Sequence, residues 1–101
     1  MLNKSSSEEE IISYIEKDSF DFLCRFRDKP WAKPYLDKAA KSAAERDSIL
    51  FMQYFENKSW AKPYLKTAAE KLAKINPEYY MESLAQDYPE YFVAAAYSLG
   101  D

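Results

Sequence analysis

The sequence predicts an all-α chain of about seven helices, folded as antiparallel hairpins in a right-handed stack. A hexapeptide, Trp-Ala-Lys-Pro-Tyr-Leu, occurs twice, at 31–36 and at 60–65, an offset of 29 residues. Around both copies the apolar residues recur at helical spacing: Trp60, Tyr64, Leu65, Ala68, Ala69, Leu72 and Ala73 fall on one face, and Lys62, Lys66, Glu70 and Lys71 on the other. The whole chain of 101 residues holds a single glycine. That leaves almost no material for glycine-dependent hairpin turns, phosphate-cradling loops or dinucleotide fingerprints, so a β-sandwich or a Rossmann fold is excluded.

The elements follow in order. Residues 1–7 are read as a flexible leading segment. A first helix is expected over 8–16, because Glu8, Glu9 and Glu10 follow three serines and complement the positive end of a helix dipole. A short aromatic helix at 19–27 carries Phe22, Leu23 and Phe26. A long helix at 31–44 has alanines on its apolar face, and a short one follows at 47–56 behind Asp47, an N-cap type. The pair repeats as 60–74 and 77–86, the second opened by Asn76 and Pro77 as cap and first residue. A last helix is expected at 88–99, with Gly100 as its C-cap.

The offset of 29 extends beyond the hexapeptide. Lys29 falls on Lys58, Ala39 and Ala40 on Ala68 and Ala69, Ala44 on Ala73, and Met52 on Met81. Run backward it lays Phe22, Leu23 and Phe26 on Phe51, Met52 and Phe55, and Ile11 and Ile15 on Ala40 and Ala44. The chain is therefore an internal repeat, with units at 8–27, 28–56 and 57–85 and a half-unit at 86–101. For the half-unit an offset of 28 is expected, placing Tyr88, Phe92, Val93 and Ala96 on Trp60, Tyr64, Leu65 and Ala68. Alanines on the long helix let a neighbouring backbone approach while rings from the short helix fill the groove. Neither helix is long enough to persist alone in water, so each must be stabilised by its neighbours. This plan resembles the α-solenoid class, closest in period to short HEAT-like repeats and similar in outline to tetratricopeptide arrays. The resemblance implies a protein-interaction scaffold and no particular chemistry.

Composition bounds the function. Aromatic residues make up 17% of the chain, so rings supply much of the burial. No apolar run reaches the roughly 18 residues needed to span a bilayer, and the amino terminus lacks the apolar stretch of a secretory signal. A single cysteine cannot pair internally, and a cytoplasmic protein without membrane contact is expected. The net charge of −3 is unevenly spread: residues 1–30 carry 5 basic and 7 acidic groups, 31–75 carry 9 and 5, and 76–101 carry no basic and 5 acidic groups. Such a dipolar chain suits a charge-complementary partner, and its basic middle is too weak to imply DNA.

No catalytic site is expected. There is no histidine, so the commonest general base, Ser-His-Asp and Cys-His arrangements and His metal sites are all missing. Cys24, beside Leu23 and Phe26, is read as a small buried or half-buried thiol rather than a nucleophile. The acidic residues lack calcium-loop spacing, and neither metal nor cofactor is expected. Trp31, Trp60 and Tyr88 are read as seals between units rather than as an aromatic ledge for a peptide, and Pro34 and Pro63 as first-turn prolines. Lys29, Lys33, Lys58 and Lys62 recur near the starts of the long helices, where a cation opposes the dipole. They either cover the tryptophans and reach acids such as Glu56, or form a row that binds anions or an acidic partner.

By analogy with helical solenoids, the short helices are expected to line a groove. Its partner-binding positions are Asp21 and Arg25, Gln53 and Tyr54, and Tyr79 and Glu82, which change character from unit to unit while the framework is kept. The leading expectation is a non-enzymatic adaptor or scaffold that binds a protein or peptide. Its alternatives are a small acidic inhibitor, of the phage or mobile-element type, that blocks a nucleic-acid-binding enzyme, and direct nucleic-acid binding through the lysine row.

Overall fold

The computed structural model of the chain describes residues 2–100, and among these there is no strand. Seven helices run in order: α1 (Glu8–Lys17), α2 (Ser19–Phe26), α3 (Leu36–Arg46), α4 (Ser48–Phe55), α5 (Lys62–Ile75), α6 (Pro77–Tyr79) and α7 (Phe92–Gly100). α1 opens with a capping box, in which Glu10 N–H donates to the Ser7 hydroxyl and Ser7 N–H donates to the Glu10 carboxylate. The molecule is elongated, 51 × 25 × 15 Å.

Backbone hydrogen bonds repeat with the sequence. The chain turns between helices at Asp18, Asp47 and Asn76, whose N–H groups donate to the carbonyls of Tyr14, Ala43 and Leu72. Each short helix is left through a turn in which the N–H of Lys29, Lys58 or Asp87 donates to the carbonyl of Phe26, Phe55 or Leu84. Ser19 and Ser48, also 29 apart, are buried, and their hydroxyls donate at 2.7 Å to the carbonyls of Ile15 and Ala44. Each bond satisfies a carbonyl at the end of the preceding helix, a group that would otherwise be costly to bury.

The core follows the expected division of labour. Ala39, Ala40, Ala43 and Ala44 of α3 and Ala68, Ala69 and Ala73 of α5 are buried, as are Phe22, Leu23 and Phe26 and their counterparts Phe51, Met52 and Phe55. Consecutive helices pack on one another, and the long helices also meet directly, α1 on α3, α3 on α5 and α5 on α7. Alanines on α3 and α5 favour the contacts between long helices, because no long side chain separates the backbones there. The short helices meet through larger groups, Phe20 of α2 standing edge-on to Tyr54 and tilted against Phe55 of α4.

Four expectations are corrected. The long helices at 31–44 and 60–74 begin as 3-10 turns, over Pro30–Tyr35 and Ser59–Ala61, because Pro34 and Pro63 lack the N–H that an α-helical bond at that point needs. The helix expected at 77–86 has one α-helical turn and continues as a π-helix over Tyr80–Leu84, closed by Ala85 N–H on the Tyr80 carbonyl. The half-unit then arrives late rather than early. The short turn Pro89–Tyr91 and the start of α7 at Phe92 lie 30 residues after Ser59–Ala61 and Lys62, not 28. Burial moves with this register, so Ala95 takes the place of buried Leu65 while Phe92 and Val93 are exposed. Finally, Gly100 lies within α7 without a positive φ, and so is no left-handed cap.

Candidate functional site

An apolar cleft lies between two successive turns, the one that leaves α2 and the one that leaves α4. It has a volume of about 470 Å³ and is lined by Leu23, Arg27, Asp28, Leu36, Ala40, Lys58, Trp60 and Tyr64. Leu23 and Ala40 form its floor and belong to the core, whereas Leu36, Trp60 and Tyr64 are half-buried walls.

Trp60 is held by the repeat. Its ring is tilted on Phe55 at 5.0 Å and stands edge-on to Phe51 at 6.2 Å. Arg27 reaches it from the turn one unit earlier, with its guanidinium carbon 5.4 Å from the Trp60 ring centre and 5.6 Å from that of Phe55. Both distances are within cation–π range. The Arg27 Nη1 is buried and has no hydrogen-bond acceptor among the described residues. The one ion pair of this guanidinium, Nε to Asp28 Oδ1, is long at 3.7 Å, and the Asp28 side chain is 90% exposed. A pair so open to water contributes little. Lys58 adds a second positive charge on the rim. Tyr64 donates its hydroxyl to Asp37 of α3, and this bond, helped by burial, pushes the phenol up to about 12.

The first copy of the hexapeptide sits in different surroundings. Trp31 rests on Phe22 and Phe26 as Trp60 does on Phe51 and Phe55. Its open side faces the leading segment, in a depression of about 530 Å³ lined by Leu2, Asn3, Lys4, Arg25, Phe26, Lys29 and Trp31. Leu2 packs against the core, and Asn3 to Ser6 form a hydrogen-bonded turn.

The six groove positions are dispersed. Asp21 and Arg25 are joined to each other, with Arg25 Nε at 2.9 Å from both carboxylate oxygens, and the Tyr14 hydroxyl also donates to Asp21. The Tyr14 bond holds the Asp21 carboxyl below its usual range, and burial with that same bond pushes the Tyr14 phenol up to about 12. Tyr54 is 61% exposed. Gln53 and Glu82 are exposed, and Tyr79 is half-buried against the core. Among the described residues no hydrogen bond or ion pair ties a groove position on one short helix to one on the next.

Lys29, Lys33, Lys58 and Lys62 are all exposed, and none is in an ion pair among the described residues, so the suggested reach to Glu56 is not made. Lys29 borders the Trp31 depression and Lys58 the Trp60 cleft, while Lys33 and Lys62 border neither. Cys24 is exposed, a correction to the expected buried or half-buried thiol, because it points away from the stripe of Phe22, Leu23 and Phe26. Desolvation by nearby atoms and the charge of Asp21 push its thiol up, which disfavours the thiolate. Among the described residues no group of three His, Cys, Asp or Glu is placed to hold a metal ion.

Sequence reasoning passed over Arg27 and Asp28. The available signal was the repeat itself, since the position of Arg27 is Glu56 in the next unit and Ala85 in the one after. No family model matches the chain, and no curated protein or solved structure matches it.

Proposed function

We propose that the chain is a non-enzymatic helical-repeat module, a right-handed α-solenoid of hairpins with units 8–27, 28–56, 57–85 and 86–101, that binds a protein or peptide as an adaptor or scaffold in the cytoplasm. The observation that carries this reading is the Arg27–Trp60 cleft. Arginine and large aromatics are the side chains that most often anchor an interface, and here the repeated residues supply a rigid frame for them. The exposed Tyr54 and the Asp21–Arg25 pair extend the same kind of surface along the short helices. No described helix is long and apolar enough to cross a membrane.

The test is capture of partners by the purified chain, followed by hydrogen exchange on the complex. The module reading expects protection at the cleft or along α2 and α4, with a double Arg25, Tyr54 to Ala variant, which spares the half-buried Tyr79, still folding and binding more weakly. Protection confined to α7, or none at all, overturns it. A second reading, the acidic inhibitor, is favoured by the exposure of Glu78, Glu82, Asp87 and Glu90 in a stretch without any basic residue. It expects a captured nucleic-acid enzyme that releases its nucleic acid when the chain is added.

A further inference from the structure

We infer that the Arg27–Trp60 cleft is a pocket for the carboxylate of a peptide's glutamate or aspartate, with a neighbouring apolar residue of that peptide laid against Leu36 and Trp60. This rests on the module reading and assigns the chemistry of its ligand.

The Arg27 side chain is half-buried, 27% exposed, and a cation drawn partly out of water is costly unless acceptors meet it. Two ring faces cover it, Nη1 has no acceptor, and the nearest carboxylate stands 3.7 Å away on an almost fully exposed side chain. With Nη1 enclosed, the edge left to a ligand is that of Nε and Nη2, whose parallel N–H donors suit the two oxygens of a planar carboxylate. Lys58 on the rim adds attraction. Asp28 limits the charge that the cleft accepts, which favours a carboxylate of one negative charge over a phosphate carrying close to two. The apolar walls then give the acid a context, because a free carboxylate would leave Leu36 and the Trp60 ring uncovered.

The repeat makes this pocket singular. At the next junction the position of Arg27 is held by Glu56, whose charge is felt by Tyr88, and an acidic ligand would be repelled there. At the first junction the leading segment lies against Trp31. The Trp31 depression also has cations, Lys4, Arg25 and Lys29, but its arginine is already paired with Asp21 at 2.9 Å. Of the three junctions, the one at Trp60 thus joins a weakly paired arginine to an open aromatic wall, which would fix the register of a bound peptide.

The probes are three capped tripeptides, acetyl-Leu-Glu-Phe-amide, its Gln counterpart and its phosphoserine counterpart, titrated while the Trp60 indole and Arg27 Nε signals are followed by nuclear magnetic resonance. The Glu peptide is expected to shift both signals saturably. The Gln peptide is expected to bind at least about tenfold more weakly, the size of one charged hydrogen bond. Arg27→Gln and Lys58→Gln should each weaken the Glu peptide, and Asp28→Asn should tighten it, so the outcome does not depend on one variant folding. Equal binding of Glu and Gln peptides, tighter binding of the phosphoserine peptide, or no saturable shift overturns the carboxylate pocket. If captured partners still protect α2 and α4 in those cases, the module reading stands and this inference alone fails.

Discussion

Trp31 and Trp60 open the same six residues and lie on the same pair of rings one unit apart, yet one faces the leading segment and the other faces an arginine and a cleft. The frame is the part that repeats: Phe22 and Phe26 correspond to Phe51 and Phe55, and buried Ala39 and Ala40 to Ala68 and Ala69. The surroundings do not repeat, with Leu2 beside Trp31 and Arg27 with Asp28 beside Trp60. A repeated residue thus reports what every unit needs for packing. An unrepeated residue beside a repeated one marks what sets a single junction apart.

If the frame is truly shared, its removal should cost the same at both places. Phe22→Ala and Phe51→Ala remove fully buried rings and should each destabilise by about 3–5 kcal/mol in chemical denaturation. Trp31→Ala and Trp60→Ala remove half-buried rings and should fall near the low end, about 3 kcal/mol. A difference of more than about 1.5 kcal/mol between the two tryptophans would mean that surroundings, not frame, dominate these junctions. Leu2→Ser should weaken the Trp31 junction by about 1 kcal/mol, since Leu2 is only partly buried, and leave the Trp60 indole signal in place.

The tyrosines of the hexapeptide sharpen the contrast. Tyr64 donates to Asp37, whereas Tyr35 makes no hydrogen bond among the described residues. Tyr64→Phe should therefore cost about 1 kcal/mol and Tyr35→Phe nearly nothing. pH separates them again. The Tyr64 phenol is raised from 10.0 to about 12, chiefly by the Asp37 bond, so the folded state holds this proton more tightly than the unfolded chain does. Its contribution is full below pH 10 and is lost as pH rises toward 12. Tyr14, raised to about 12 chiefly by burial, behaves in the same way. Alkaline denaturation should thus steepen over that range in wild type, less in Tyr64→Phe and least in the double Tyr14, Tyr64 to Phe variant. An unchanged profile in the double variant would reject the raised phenols of Tyr14 and Tyr64 as its source.

The sequence disclosed what depends on period and withheld what depends on tertiary placement. Helix order, the buried alanines and the aromatic short helices all follow from spacing at 3.6 and at 29 residues, and the structure has them. The π-helix over Tyr80–Leu84 breaks that arithmetic, because an i to i+5 bond leaves no compositional mark, and with it the half-unit slips to an offset of 30. The cleft was hidden for another reason. Arg27 reads as one more charge after a short helix, and only the stacking of one turn over the next brings it to Phe55 and Trp60. Asp21 and Arg25 were singled out as partner-binding groove residues, yet Asp21 is engaged by its i, i+4 neighbour Arg25 and by the Tyr14 hydroxyl.

The smallest effect on the fold should come from the lysine row, where the two junctions differ only at the rim. Lys29 and Lys58 precede 3-10 turns, and Lys33 and Lys62 stand within or just after them, all exposed and without ion pairs among the described residues. A cation near the start of a helix opposes the dipole, so neutralising all four to Gln should change stability by no more than about 0.5 kcal/mol per site, in the stabilising direction. A clear loss of stability would show instead that their stems pack on the tryptophans. With folding intact, the pairs can be compared for binding. Because Lys58 borders the cleft and Lys33 and Lys62 do not, Lys58→Gln alone should weaken the acetyl-Leu-Glu-Phe-amide complex and flatten its salt dependence, while Lys33→Gln and Lys62→Gln leave both unchanged. Equal losses at all four would replace a local pocket by a diffuse basic surface, and the difference between the two tryptophan junctions would then carry no function.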